Sequence, residues 1–116
     1  MAAPLTQKKN PEPCPFQESM DLLSGKWTMS VINALMSGVL RFGELERAVP
    51  GINTRMLART VKELEERKII SRKPHPTVPP TVEYSLTEKG LALKPVMQAL
   101  QAWAISNYHK AQAEQS

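Results

Sequence analysis

At 116 residues the chain is one domain's worth, long enough for a real core and too short for two. Its hydrophobic fraction of 41%, the lack of any apolar run near the roughly 20 residues that cross a bilayer, and the lack of a secretory leader predict a soluble cytoplasmic protein with no membrane partner. One cysteine excludes an internal disulfide framework and a cysteine-built zinc site, and the net charge is a modest +4.

Residues 1–13, MAAPLTQKKNPEP, are polar and proline-rich and predict a disordered arm, so the folded domain is expected over 14–113. FQESMDLLS then reads as a short helix closed by Gly25, with Phe16, Met20 and Leu23 on one face. A second helix over 26–37 carries Trp27, Val31, Ala34 and Leu35, with Ile32 and Met36 widening the apolar face as a central core helix requires. VLRF predicts a brief strand and GELERAV a two-turn helix, stopped by the turn dipeptide Pro50-Gly51. Asn53 or Thr54 can cap a longer helix running to about residue 68. Strands are expected over 69–73 and 82–86, joined by a loop holding Pro74, Pro76, Pro79 and Pro80. Proline donates no backbone hydrogen bond, so all four are expected at the tip, beyond the paired residues, holding it extended. Thr87 is a plausible cap for a final helix, with a kink or a restart at Pro95.

A short helix joined by a tight glycine turn to a longer one is a helix-turn-helix pattern, and the two-stranded ribbon after it makes a winged helix-turn-helix. The fold class is therefore mainly α with a small antiparallel β-hairpin, extended at both ends by helices suited to dimerisation.

Charge is concentrated in this region. Residues 53–73 hold seven bases (Arg55, Arg59, Lys62, Arg67, Lys68, Arg72, Lys73) and three acids (Glu63, Glu65, Glu66); that +4 equals the whole net charge. At about 100° per residue, Leu57, Val61 and Leu64 fall on one face of the long helix, and Arg55, Arg59 and Lys62 on the opposite one. Such a rail fits a polyanion, and the acids one turn on direct it to the helix's N-terminal half. The plainer alternative is a solvated face laced with Glu–Lys pairs. On the nucleic-acid reading, Arg55 and Arg59 are candidates for guanine edges and Lys62 for phosphate. Asn53 and Thr54 are candidates for phosphate or a base edge, although Asn53 can equally be a simple cap.

The segments CPF, DLLSGKW, RFGEL, PGIN, VKELEE and VPPTVEYSLTEKG, spread from Cys14 to about Trp103, closely resemble the HxlR-type transcriptional regulators, relatives of the MarR-type winged-helix proteins. The resemblance implies a homodimer that represses or activates genes by binding double-stranded DNA at a pseudo-palindromic operator. It implies a recognition helix over about 53–68 in the major groove and a wing over about 73–81. We read that wing as laid along the DNA backbone or into the minor groove, flanked by Arg72, Lys73 and His75; the alternative is a rigid turn that only braces the ribbon. Thr81 stands where the family often carries arginine, so the wing's charge here must come from Lys73 or His75, or be missing. Asn53 stands where a serine is common, which leaves the cap intact but bears on the operator sequence. Some relatives sense oxidants or electrophiles through a cysteine placed like Cys14; the alternative is a small hydrophobe near the dimer contact.

The last helix carries Leu93, Val96, Met97, Leu100 and Trp103 at three- and four-residue steps. Helical over 88–111, it would span roughly 35 Å at 1.5 Å per residue, more than a domain with a radius of gyration of about 13 Å covers. Part of that stripe, together with Phe16, Met20 and Leu23, is therefore expected to meet a second copy; the plainer alternative, compatible with it, is packing of the stripe on the helix near Phe16 to Leu23 within one chain. His75 and His109 have no ligand-spaced partners, so no metal is expected, and no motif calls for a cofactor. No nucleophile–base set or phosphate-cradling glycine loop argues for an enzyme. A winged-helix protein–protein module without DNA binding is the remaining alternative; a small-molecule or oxidant effector is left open.

Overall fold

The computed structural model describes residues 14–109. The predicted arm and the stretch 110–113 lie outside the described residues. In chain order the elements are α1 Pro15–Leu23, α2 Thr28–Leu35, β1 Leu40–Arg41, α3 Phe42–Ala48, α4 Thr54–Glu66, β2 Ile70–His75, β3 Thr81–Leu86, α5 Glu88–Leu91 and α6 Lys94–Ala104, with a π-helical turn Ile105–His109 after α6. The architecture is a winged helix-turn-helix: mostly helical, with a small antiparallel sheet.

Local chemistry explains most boundaries. Pro15 sits in the first turn of α1, where its missing N–H is no loss. The Glu44 carboxylate accepts a 2.8 Å hydrogen bond from the Arg41 backbone N–H, which fixes the start of α3. Asn53 caps α4, its Oδ1 accepting from the Met56 N–H at 2.8 Å. The other end of α4 closes through Lys68, which takes a left-handed φ of 66°. From there its N–H reaches the Glu65 carbonyl at 3.0 Å and the Ile69 N–H reaches the Leu64 carbonyl at 2.9 Å. This pair of bonds is a Schellman motif; with Leu64 and Ile69 both buried, it turns the chain directly into β2.

The sheet has three strands in the order β1-β3-β2. The brief strand therefore does more than connect helices: Leu40 pairs with Tyr84 and Arg41 with Glu83, on the far side of β3 from β2. The ribbon is longer than expected. Its ladder runs from Ile70 opposite Leu86 to His75 opposite Thr81, and Pro74 lies inside it opposite Val82. Pro74 is thus a paired residue and not part of the tip. It is tolerated because β2 is an edge strand, where a missing donor can face away from the ladder. Only Pro76, Pro79 and Pro80 belong to the connection.

The C-terminal segment restarts just before Pro95, as the proline implies, and does not run as one helix from residue 88. Thr87 caps the short α5, accepting from the Gly90 N–H at 3.1 Å. The chain then restarts as α6, with Pro95 in its first turn. The core joins Val31, Ile32 and Leu35 of α2, Leu45 of α3, and Leu57, Val61 and Leu64 of α4. Ile69, Ile70 and Tyr84 bring in the sheet, and Met97 brings in α6. Each fully buried Leu or Ile side chain contributes about 1.5–3 kcal/mol, so the core-facing stripe of α4 holds its opposite face outward.

Candidate nucleic-acid interface

The helix-turn-helix consists of α3, a turn over residues 49–53, and α4. Val49 and Ile52 are buried on either side of Gly51, whose φ of 90° suits glycine. A Cβ at Gly51 would stand 3.4 Å from the Trp27 ring, so Trp27 braces the turn from the start of α2. The Lys26 ammonium lies 5.1 Å from the centre of that ring, over its face. GKW and PGIN, far apart in sequence, are parts of one support for the angle at which α4 leaves the domain.

On α4, Leu57, Thr60, Val61 and Leu64 are buried, while Arg55, Arg59 and Lys62 are exposed on the opposite side. Among the described residues none of these three cations is in an ion pair. The four N-terminal N–H groups of a helix add partial positive charge at the same end. Thr54 behaves differently from a free donor: its hydroxyl donates to the Glu46 carboxylate, tying α3 to the first turn of α4. It therefore fixes the angle of the motif and has no proton left for a phosphate. Asn53 spends its side-chain oxygen on the cap and retains only its amide N–H groups as donors.

The wing lies beside this helix. Arg72 and Lys62 line one cleft of about 340 Å³ between α4 and the sheet, floored by Phe42, Ala58, Val61 and Tyr84. The Phe42 and Tyr84 rings pack at 6.4 Å between centroids, and Glu65 stands at the same cleft. Lys73 is exposed and in register opposite Glu83. His75 does not supply free charge: its Nε2 is 2.8 Å from Glu83 Oε1 in a half-buried pair. Glu83 also stands opposite Arg41 on the other flank of β3. The cations available on the ribbon are thus Arg72 and Lys73. Glu46 and Glu83, the acids that engage Thr54 and His75, escape a reading based on basic residues alone; neither lies near its partner in sequence.

The residues expected at a dimer contact separate into two groups. Phe16 is 72% and Trp103 52% exposed, and Met20, Val96 and Leu100 are exposed with them. Leu23 and Leu93 are half-buried against the core, and Met97 is only 8% exposed within it. Met97 is the residue that seats α6 on the domain and is withdrawn from the outer stripe. Ile105 and Tyr108 extend that stripe, with the Tyr108 ring edge-on to Trp103 at 5.3 Å. Cys14 is an exposed free thiol at the start of α1. Among the described residues no cluster of His, Cys, Asp and Glu could hold a metal ion, and no helix is long and apolar enough to cross a membrane.

Known proteins share this arrangement. The family model for the HxlR-like helix-turn-helix matches residues 22–112. The HTH-type transcriptional regulator YodB of Bacillus subtilis is 46% identical over 92 residues, 78% of this chain and 82% of its own. The solved reduced form of YodB superposes with a TM-score of 0.72 at 43% identity, over 84% of this chain and 96% of that one. A protein of Porphyromonas gingivalis W83, described as a MarR-family transcriptional regulator, gives a TM-score of 0.80 at 39% identity, over 84% and 96% of the two chains. The redox regulator HypR in its reduced form gives 0.79 at 36% identity, over 86% and 99%. These regulators are not enzymes, and the chain belongs to their family, the HxlR-like helix-turn-helix transcriptional regulators.

Proposed function

We propose that the protein is a cytoplasmic, homodimeric regulator that binds double-stranded DNA sequence-specifically. The N-terminal half of α4 enters the major groove, with Arg55 and Arg59 on base edges. Lys62, Arg72 and Lys73 contact phosphates, and the Asn53 amide is a further donor to the backbone. The observation that carries this reading is the one-sided rail of unpaired cations on α4, whose Lys62 shares a cleft with Arg72 of the wing. A module that had given up DNA would have no reason to keep acids off that half of the helix. The exposed stripe of Phe16, Met20, Val96, Leu100 and Trp103 supplies the dimer contact. Two recognition helices then meet half-sites about 34 Å apart on a pseudo-palindrome.

The test is fluorescence anisotropy with DNA from upstream of the gene, titrated at several salt concentrations. Three phosphate-contacting cations per protomer make about six per dimer, so log affinity should fall against log salt with a slope near −5. The complex should contain two chains per duplex. Binding indifferent to both salt and sequence would refute the reading.

A second reading concerns Cys14, which is exposed and free. The solved structures of YodB include a diamide-treated form, and HypR has been solved oxidised. On this reading Cys14 is the thiol through which an oxidant alters operator binding. Diamide should change the operator affinity of the wild type and leave Cys14→Ser unaffected; an identical response from both proteins ends the idea.

A further inference from the structure

The wing's tip carries no charge, although its neighbours on the ribbon do. Residues 76–80 read PTVPP, and the nearest cations are Lys73 and the histidine already held by Glu83. The Thr77 hydroxyl donates to the Pro79 carbonyl at 2.7 Å and lies 3.5 Å from the Thr81 hydroxyl. The Thr77 side chain is thus engaged within the tip and helps to hold its shape. What remains outward is Val78, 99% exposed, set among Pro76, Pro79 and Pro80. A β-branched side chain has few rotamers and proline fixes φ, so this apolar point is stiff before it meets anything. Water solvates it poorly, and it can make neither a phosphate contact nor a hydrogen bond to a base.

We infer that Val78 is a specificity-determining residue that presses into the minor groove beside each half-site and reads the deformability of the flanking base steps. The inference rests on the regulator reading above and adds a position that senses sequence without hydrogen bonds. Apolar side chains that enter the minor groove part neighbouring base pairs, and pyrimidine–purine steps part most readily. Arg72 and Lys73, in the paired part of the same ribbon, would hold the backbone phosphates while the tip is seated.

The test uses the full chain and two duplexes with the same selected operator core. One has TpA and CpA steps under the wings, and the other has stiff A-tracts there. Wild type should prefer the flexible flanks by about tenfold, equivalent to about 1.4 kcal/mol and comparable with burying one valine. Val78→Ser should lose that preference while keeping the same salt slope and core specificity; Val78→Ile should keep it. Wild type binding both flanks equally, or Val78→Ser retaining the preference, overturns the inference and leaves the regulator reading standing. Wild type binding no duplex overturns both.

Discussion

Replacing Arg55 or Arg59 with alanine is expected to weaken operator binding by roughly 5- to 150-fold for each half-site contact, and to relax preference at the base that each one reads. A guanidinium that bonds guanine O6 and N7 together discriminates by about 1–3 kcal/mol. In a homodimer each substitution acts twice, so the double variant should retain little beyond non-specific affinity. Lys62→Ala is the informative contrast. A phosphate contact carries no sequence information, so its loss should weaken binding to every duplex alike and flatten the salt slope by about one per half-site. The fold should not respond to any of the three. All are exposed on α4, opposite Leu57, Val61 and Leu64, and alanine is the best helix former. Anisotropy with operator and scrambled duplexes, alongside a thermal melt, reads both halves of the expectation. If Arg55→Ala and Arg59→Ala lower affinity for both duplexes equally, the arginines are phosphate contacts and the base-reading assignment is wrong.

The elements that were legible from sequence are those governed by local rules. The period of α4, its Asn53 cap and the Pro50-Gly51 turn depend on neighbours within a few residues, and each stands in the structure as the residues imply. What was not legible depends on partners distant in the chain. Nothing in VLRF announces that Leu40 and Arg41 pair with β3, which makes β2 an edge and lets Pro74 sit inside the ladder. Likewise a histidine near a basic segment looks like a cation until Glu83 is found beside it. Apolar periodicity places Met97 and Leu100 on one stripe, but which of them faces the core depends on how α6 docks after its restart at Pro95. Met97 points in; Leu100 and Trp103 do not. The same limit applies to the interface. The rail on α4 is a property of one helix, whereas the cleft joining Lys62 to Arg72 exists only once the sheet has folded against it.

Gly90→Ala should be strongly destabilising. The TEKG segment resembles an ordinary helix start, and a glycine inside it would normally be improved by alanine. Here, however, a Cβ would lie 2.3 Å from the Ile69 carbonyl oxygen and 3.0 Å from Leu86 Cδ2. The first of these is backbone and cannot swing aside. It is also committed: the Ile69 carbonyl accepts from the Thr87 N–H at 3.0 Å and from the Thr87 hydroxyl at 3.1 Å. The same hydroxyl is 2.6 Å from the Lys68 carbonyl, and Lys89 Nζ donates to the Arg67 carbonyl at 3.2 Å. This junction fastens the end of α4 and the base of β2 to the start of α5, and moving the carbonyl gives up its hydrogen bonds. Overpacking costs about 1–3 kcal/mol and each lost bond about 1, so a destabilisation of about 3 kcal/mol is expected. At fixed protomer concentration that lowers Tm by on the order of 10 °C. Gly43→Ala is the control. In α3 its added Cβ would come no closer than 3.7 Å, to the Arg47 guanidinium, so it should stabilise by about 0.5 kcal/mol through helix propensity. Opposite signs from the same chemical change would separate close packing from backbone entropy. If Gly90→Ala unfolds within 0.5 kcal/mol of wild type, the junction is looser than these distances imply. Wing and recognition helix would then be positioned independently, and the cleft between them could not hold Lys62 and Arg72 to a fixed phosphate spacing.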